Sequence, residues 1–229
     1  MIVLKLNKFL YLIWKDPHTR SNFIVGKLSR NGKYTFEYFG DFGKAESCGW
    51  SKLEAFPEEI VYESDVLFPV FASRLPDRKR RDISKILEKY ELSEFDEFEL
   101  LRKSEGKLPI DTYSFIDPIF PEMETVQRDF YIMGIRYHTL CQGKNCEFLP
   151  KVSVGEELYF EKEPDNQYDP NAIRILTENK DFLGYVPRYY NLPIIERMNK
   201  GVSYVCKITD INLNQDCTEC IKVRLKMPK

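Results

Sequence analysis

Three apolar runs open the chain, each closed by turn-forming residues. LYLIW (10–14) precedes KDPHTRSN, FIVGKLSR (23–30) precedes Asn31-Gly32, and KYTFEYF (33–39) alternates aromatic with polar positions. Two such runs around Asn-Gly predict a β-hairpin, because the tight hairpin turns need φ > 0. From Val66 the period changes. VLFPVFASRLP, RKRRDISKILEKYEL and SEFDEFELLRKSEG place apolar residues three and four apart, as one face of a helix does. Ser93 ahead of Asp96 and Glu97 marks a helix start, and Gly106 a helix stop. LPIDTYSFI then returns to a strand pattern. Residues 1–120 therefore read as an α+β domain: a small antiparallel sheet plus helices.

The stretch DPIFPEMETV (117–126), with two prolines and three acids, has the composition of a linker. Beyond it, RDFYIMGIRYH, EELYFEKEP, NAIRILTE, FLGYVPR, SYVCKITDINL and CIKVRLKM all carry strand patterns. YYNLPIIERMNKG is the one clear helix among them, despite Pro193 near its start. Many short strands separated by turn signals predict that residues 121–229 form a small, mostly β barrel.

Charge narrows what such a pair of domains does. The 34 Lys and Arg face 36 Asp and Glu, and the balance holds in both halves, with 19 basic and 20 acidic residues through residue 120. A chain that gripped duplex DNA by counterion release alone would be basic. Nucleic acid, if bound, must be taken in a small local pocket. The N-terminal MIVLKLNKFLYLIWKD is broken by Lys5 and Lys8 and no small-residue cleavage site follows, so it does not read as a signal peptide. No apolar run approaches the ~20 residues of a membrane span. A cytoplasmic protein with no membrane partner is expected. Its six cysteines are then thiols or metal ligands. CQGKNC (Cys141, Cys146) and CTEC (Cys217, Cys220) would make a four-thiolate zinc site if the fold joined them. Scattered reduced thiols are the alternative, and no other cofactor is expected.

The chemistry concentrates in EPDNQYDPNAIRI (163–175). A calcium loop needs a glycine at its sharp turn and a terminal glutamate, and this stretch has neither. Glu163, Asp165 and Asp169 leave a metal-assisted nuclease open as an alternative, yet no nucleophile–base pattern accompanies them. Acids and asparagines in such loops also serve the turn itself by binding nearby amides. The order GIRYH, EPDNQYDPNAI, FLGYVPR over residues 127–229 resembles the HIRAN domain. That resemblance implies a compact OB-like or SH3-like barrel whose pocket takes the 3′ end of single-stranded DNA. It assigns Arg136, Tyr137, Asn166, Tyr168, Asp169, Asn171, Tyr185 and Arg188 to the pocket. The implied chemistry is coherent: tyrosine rings stack on bases, an ionised Asp169 accepts a terminal hydroxyl's proton, and arginines hold the adjacent phosphates. Tyr185 as a plain strand residue, and Arg136 paired to a neighbouring glutamate, remain open alternatives.

The first half carries no catalytic signature. Its basic run RLPDRKRR (74–81) fits a solvated helix start. IVGKLSRNGKYTFEY, followed by VLFPVFASRLPDRKRRDISKILEKYELSEFDEFELLRKSEGKLP, resembles the N-terminal subdomain of HipA-type kinases, over about residues 8–116. A departure is the segment ESCGWSKLEAFPEEIVYES, which replaces a shorter polar loop. The kinase's ATP-binding and catalytic segments have no counterpart among these residues. The resemblance implies a non-catalytic, antitoxin-like partner of a separately encoded HipA-like kinase toxin, with Trp50 as a possible exposed anchor for it and core packing as the other role. A stand-alone DNA-end sensor is the further alternative.

Overall fold

A computed structural model describes residues 8–135, 151–212 and 219–228. The chain divides into two compact units, one ending at Pro118 and the other beginning at Ile119. Among the described residues no helix is long and apolar enough to cross a membrane.

In the first unit, β1 (Lys8–Lys15), β2 (Asn22–Asn31), β3 (Lys33–Tyr38), β4 (Tyr62–Ser64) and β5 (Tyr113–Ile116) form an antiparallel sheet in the order β4-β3-β2-β1-β5. The hairpin is where Asn31-Gly32 predicts it: Asn31 pairs with Lys33, and Gly32 turns at φ +80°. Four helices follow the sheet's early strands, α1 (Phe42–Ser47), α2 (Pro69–Ala72), α3 (Ile83–Lys89) and α4 (Glu97–Ser104). One sheet face and the helices enclose Leu10, Leu12, Val25, Leu28, Phe36, Phe71, Phe98, Leu101 and Phe115. Phe36 stands centrally, 4.3 Å from the Phe56 ring and 5.2 Å from Phe71.

Two features depart from the sequence pattern. The last helix starts at Asp96 rather than Ser93. The Asp96 carboxylate accepts the Glu99 N–H at 2.9 Å and two bonds from Arg30, at 2.6 and 2.8 Å, so the cap belongs to the residue that also has a tertiary partner. The segment that departs from the kinase pattern is structured as well: it holds the end of α1, the edge strand β4, and the core residues Trp50 and Phe56. The Tyr38 hydroxyl fastens it, donating to the Phe56 carbonyl at 2.6 Å and accepting the Leu53 N–H at 3.1 Å. Within the basic run, the side chain of Arg74 is only 6% exposed. It donates to Asp111 at 2.7 and 2.8 Å and to the carbonyl of Gly106 at 2.6 Å, closing the loop before β5.

The second unit is a curled six-stranded sheet, β6 (Val126–Tyr131), β7 (Glu157–Glu163), β8 (Ala172–Leu176), β9 (Phe182–Tyr185), β10 (Val205–Ile211) and β11 (Ile221–Met227), in the order β6-β11-β10-β7-β8-β9. Its ends meet. Just past β6, Met133 exchanges two backbone hydrogen bonds of 2.8 Å with Tyr185 of β9. Gly184 makes that meeting possible: it has φ +151°, and a Cβ there would lie 2.4 Å from the Met133 carbonyl oxygen. Ile173, Ile175, Leu183, Val186, Ile208, Val223 and Leu225 fill the interior. The helix α5 (Arg188–Asn199) follows β9 directly and packs against β8, tolerating Pro193 in its second turn.

Candidate functional site

The loop between β7 and β8, residues 164–171, is the stretch rich in Pro, Asp and Asn. Asn166 builds it. Its Oδ1 accepts the N–H groups of Tyr168 and Asp169 at 3.0 and 3.1 Å, and its Nδ2 donates to Glu163 Oε2 at 2.6 Å. Asp169 turns the chain back into β8, its Oδ1 accepting the Asn171 N–H at 2.9 Å. Such bonds are the ordinary work of Asn and Asp in turns. Here they also remove most of the loop's freedom, so little order has to be gained on binding.

Two further elements converge on the loop. From β9, the Tyr185 hydroxyl donates to Glu163 Oε2 at 2.9 Å and lies 3.4 Å from Asn166 Nδ2. Burial, reinforced by the Glu163 carboxylate, raises the Tyr185 pKa and keeps that hydroxyl a donor. From α5, Asn191 Nδ2 donates to Asp169 Oδ2 at 2.8 Å, and Arg188 Nε stands 4.0 Å from the same oxygen. The Arg188 side chain is 65% exposed and Tyr168 is 89% exposed. One corner of the unit thus presents an aromatic ring, a carboxylate and a guanidinium on a braced loop. Those groups suit a ligand with a flat apolar face, a hydroxyl and an anionic flank.

Of the residues singled out from sequence, Asn166, Tyr168, Asp169, Asn171, Tyr185 and Arg188 meet at this corner. Asn166 and Tyr185 spend their polar atoms on the loop itself. Arg136 and Tyr137 lie outside the described residues, as do Cys141, Cys146 and Cys217. Cys220 is buried beside β11. Glu163 and Asp169 take donors from Asn and Tyr side chains, and Asp165 is exposed. Among the described residues no three His, Cys, Asp or Glu are grouped to hold a metal ion.

Trp50 needs correction as an exposed anchor. It is only 5% exposed, and its indole N–H donates to the Tyr113 hydroxyl at 2.7 Å. A large ring beside the apolar face of a small sheet is worth more inside. The large apolar side chains the first unit does expose include Ile60, Val61 and Val66, on either side of the edge strand β4.

Sequence reasoning missed Asn191. The only sign was a polar, weakly helix-forming residue three positions after Arg188 inside a helical pattern. Its value depends on Asp169, which is distant in sequence.

Comparison with known proteins places two domains along the chain. The profile of the HipA N-terminal domain matches residues 20–108, and that of the HIRAN domain matches residues 127–226. Among solved structures, a protein from Lactobacillus plantarum is 26% identical over 45% of this chain and 94% of its own, with a TM-score of 0.34. The HIRAN domain of human HLTF is 19% identical over 45% of this chain and 77% of its own, with a TM-score of 0.31. No curated protein matches the chain.

Proposed function

Since this chain carries a HipA N-terminal domain followed by a HIRAN domain, we propose that it is a non-catalytic, antitoxin-like partner of a separately encoded HipA-type kinase, and that its second unit binds single-stranded DNA at a 3′ end. The observation that carries the DNA reading is the convergence of Tyr168, Asp169 and Arg188 at one braced corner. The Tyr168 ring, free of the core, stacks on the terminal base. Asp169 retains lone pairs beyond those given to Asn171 and Asn191 and accepts the terminal hydroxyl's proton. Arg188 holds the adjoining phosphate. A carboxylate at that point repels an internal phosphate, which favours an end over a continuous strand.

The kinase half of the reading rests on the domain match. In it, the first unit covers the surface that an N-terminal subdomain would cover in a one-chain kinase. Exposed Ile60, Val61 and Val66 offer the apolar contact that buried Trp50 cannot.

Titration of fluorescent oligonucleotides ending in a 3′ hydroxyl or a 3′ phosphate tests the DNA reading. The hydroxyl end is expected to bind more tightly, and equal affinities would remove the role given to Asp169. Co-expression with a short HipA-like kinase tests the other half: co-purification and relief of the kinase's toxicity are expected, and independent migration of the two proteins would refute it.

A further inference from the structure

Asn191 occupies a position that its own helix does not favour. Asparagine is a poor helix-interior residue, yet it stands in the first turns of α5, only 3% exposed. Its Oδ1 is buried and has no hydrogen-bond partner among the described residues. An unsatisfied buried acceptor costs stability, and an apolar side chain of the same size would avoid that cost. What the asparagine does achieve is the 2.8 Å hydrogen bond from Nδ2 to Asp169 Oδ2.

That bond completes a cradle. The Asn171 N–H holds Asp169 Oδ1 from the loop side, and Asn191 holds Oδ2 from the helix side. Arg188, three residues earlier and therefore on the same helix face, stands 4.0 Å from Oδ2. With one donor on each oxygen, the carboxylate cannot swing, and its remaining lone pairs keep a fixed direction. A ligand hydroxyl meeting them donates a proton into a prepared acceptor. A phosphate in the same place brings negative charge and, when fully ionised, no proton.

We propose that Asn191 is the positioning residue of this site: by orienting Asp169 it sets the preference for a hydroxyl terminus over a phosphorylated one, at a cost to the stability of the fold. The inference rests on the DNA-end reading above and adds the residue on which end selection turns.

The test compares wild type, Asn191→Leu, Asp169→Asn and the double variant, each as the full chain. Short oligothymidylate with a 3′ hydroxyl or a 3′ phosphate is titrated against each, and each is melted without DNA. Asn191→Leu is expected to bind the hydroxyl end about tenfold more weakly, the loss of one hydrogen bond to a charged group, and the phosphate end within about twofold. It is expected to melt at or above the wild-type temperature. In the double variant the losses should not add, because both changes act through the same acceptor, Asp169. A lower melting temperature with unchanged end preference would make Asn191 merely structural and overturn the proposal. If the wild type discriminates the ends and Asn191→Leu discriminates equally, this inference alone fails. If the wild type binds neither oligonucleotide, the DNA-end reading fails and takes this role with it.

Discussion

Tyr168 and Trp50 are aromatic residues in turn-rich segments, and they have opposite fates. Tyr168 is held out in solvent, its backbone N–H donating to the Asn166 side chain, while Trp50 is enclosed by the first unit's core and bonded to Tyr113. Substitution should separate them. Tyr168→Ala is expected to weaken oligonucleotide binding by about 1–3 kcal/mol, the range for one stacked base, while leaving the melting temperature within a degree or so. Trp50→Ala is expected to cost about 3–5 kcal/mol of stability, read as a fall in the first unit's denaturation midpoint, with oligonucleotide binding unchanged. Asp96 makes a third prediction at this scale. Burial pushes its carboxyl up, but the Glu99 N–H and Arg30 outweigh that and hold it below its ordinary 3.8. A carboxylate depressed in the folded state contributes stability that is complete above its unfolded pKa and is lost as the pH falls through its folded one. Asp111, clamped by Arg74, acts in the same direction. Acid titration of thermal stability should therefore show a loss beginning near pH 4, and Asp96→Asn should be less stable at neutral pH with a shallower acid limb.

At the scale of elements, the barrel depends on one closure. The bridge between Met133 and Tyr185 joins the ends of a sheet whose edges would otherwise be open, and it also fixes Tyr185, which braces the loop through Glu163. Gly184 permits it. Gly184→Ala puts a methyl group against the Met133 carbonyl in a left-handed backbone region, so a loss of roughly 2 kcal/mol or more is expected, together with weakened DNA-end binding as the brace loosens. Calorimetry and oligonucleotide titration on the same preparation would show both, and an undisturbed melting temperature would mean the barrel does not need this closure. The elements of both units were largely legible beforehand. The hairpin at Asn31-Gly32 and the strands of the second unit follow from alternation and turn residues, which are local signals. The edge strand β4 and helix α1 were not, because each is short and owes its place to partners elsewhere: β4 to its pairing with β3, and α1 to Ala45, buried in the core. Ser93 lost the helix start to Asp96 for the same reason, since Arg30 is sixty-six residues away.

At the scale of the whole molecule, a net charge of −2 limits how the proposed DNA end could be held. In the proposed reading one guanidinium at the corner, Arg188, meets the strand, rather than a basic surface, so few counterions are released. For about one phosphate the slope of log affinity against log salt should be near −0.7, and a slope several times steeper would point to a different, extended interface. Alternation, helical periodicity and turn chemistry are written residue by residue, so the α+β character of the first unit, the β character of the second and the turn rich in Asn and Asp between β7 and β8 could all be read from the sequence. Which ring is buried, which carboxylate is cradled and which asparagine leaves an acceptor unpaired could not. Those properties belong to pairs such as Trp50 with Tyr113 and Asp169 with Asn191. Burial and hydrogen bonding between residues far apart in sequence depend on where the folded chain returns to itself, and only the tertiary structure decides that.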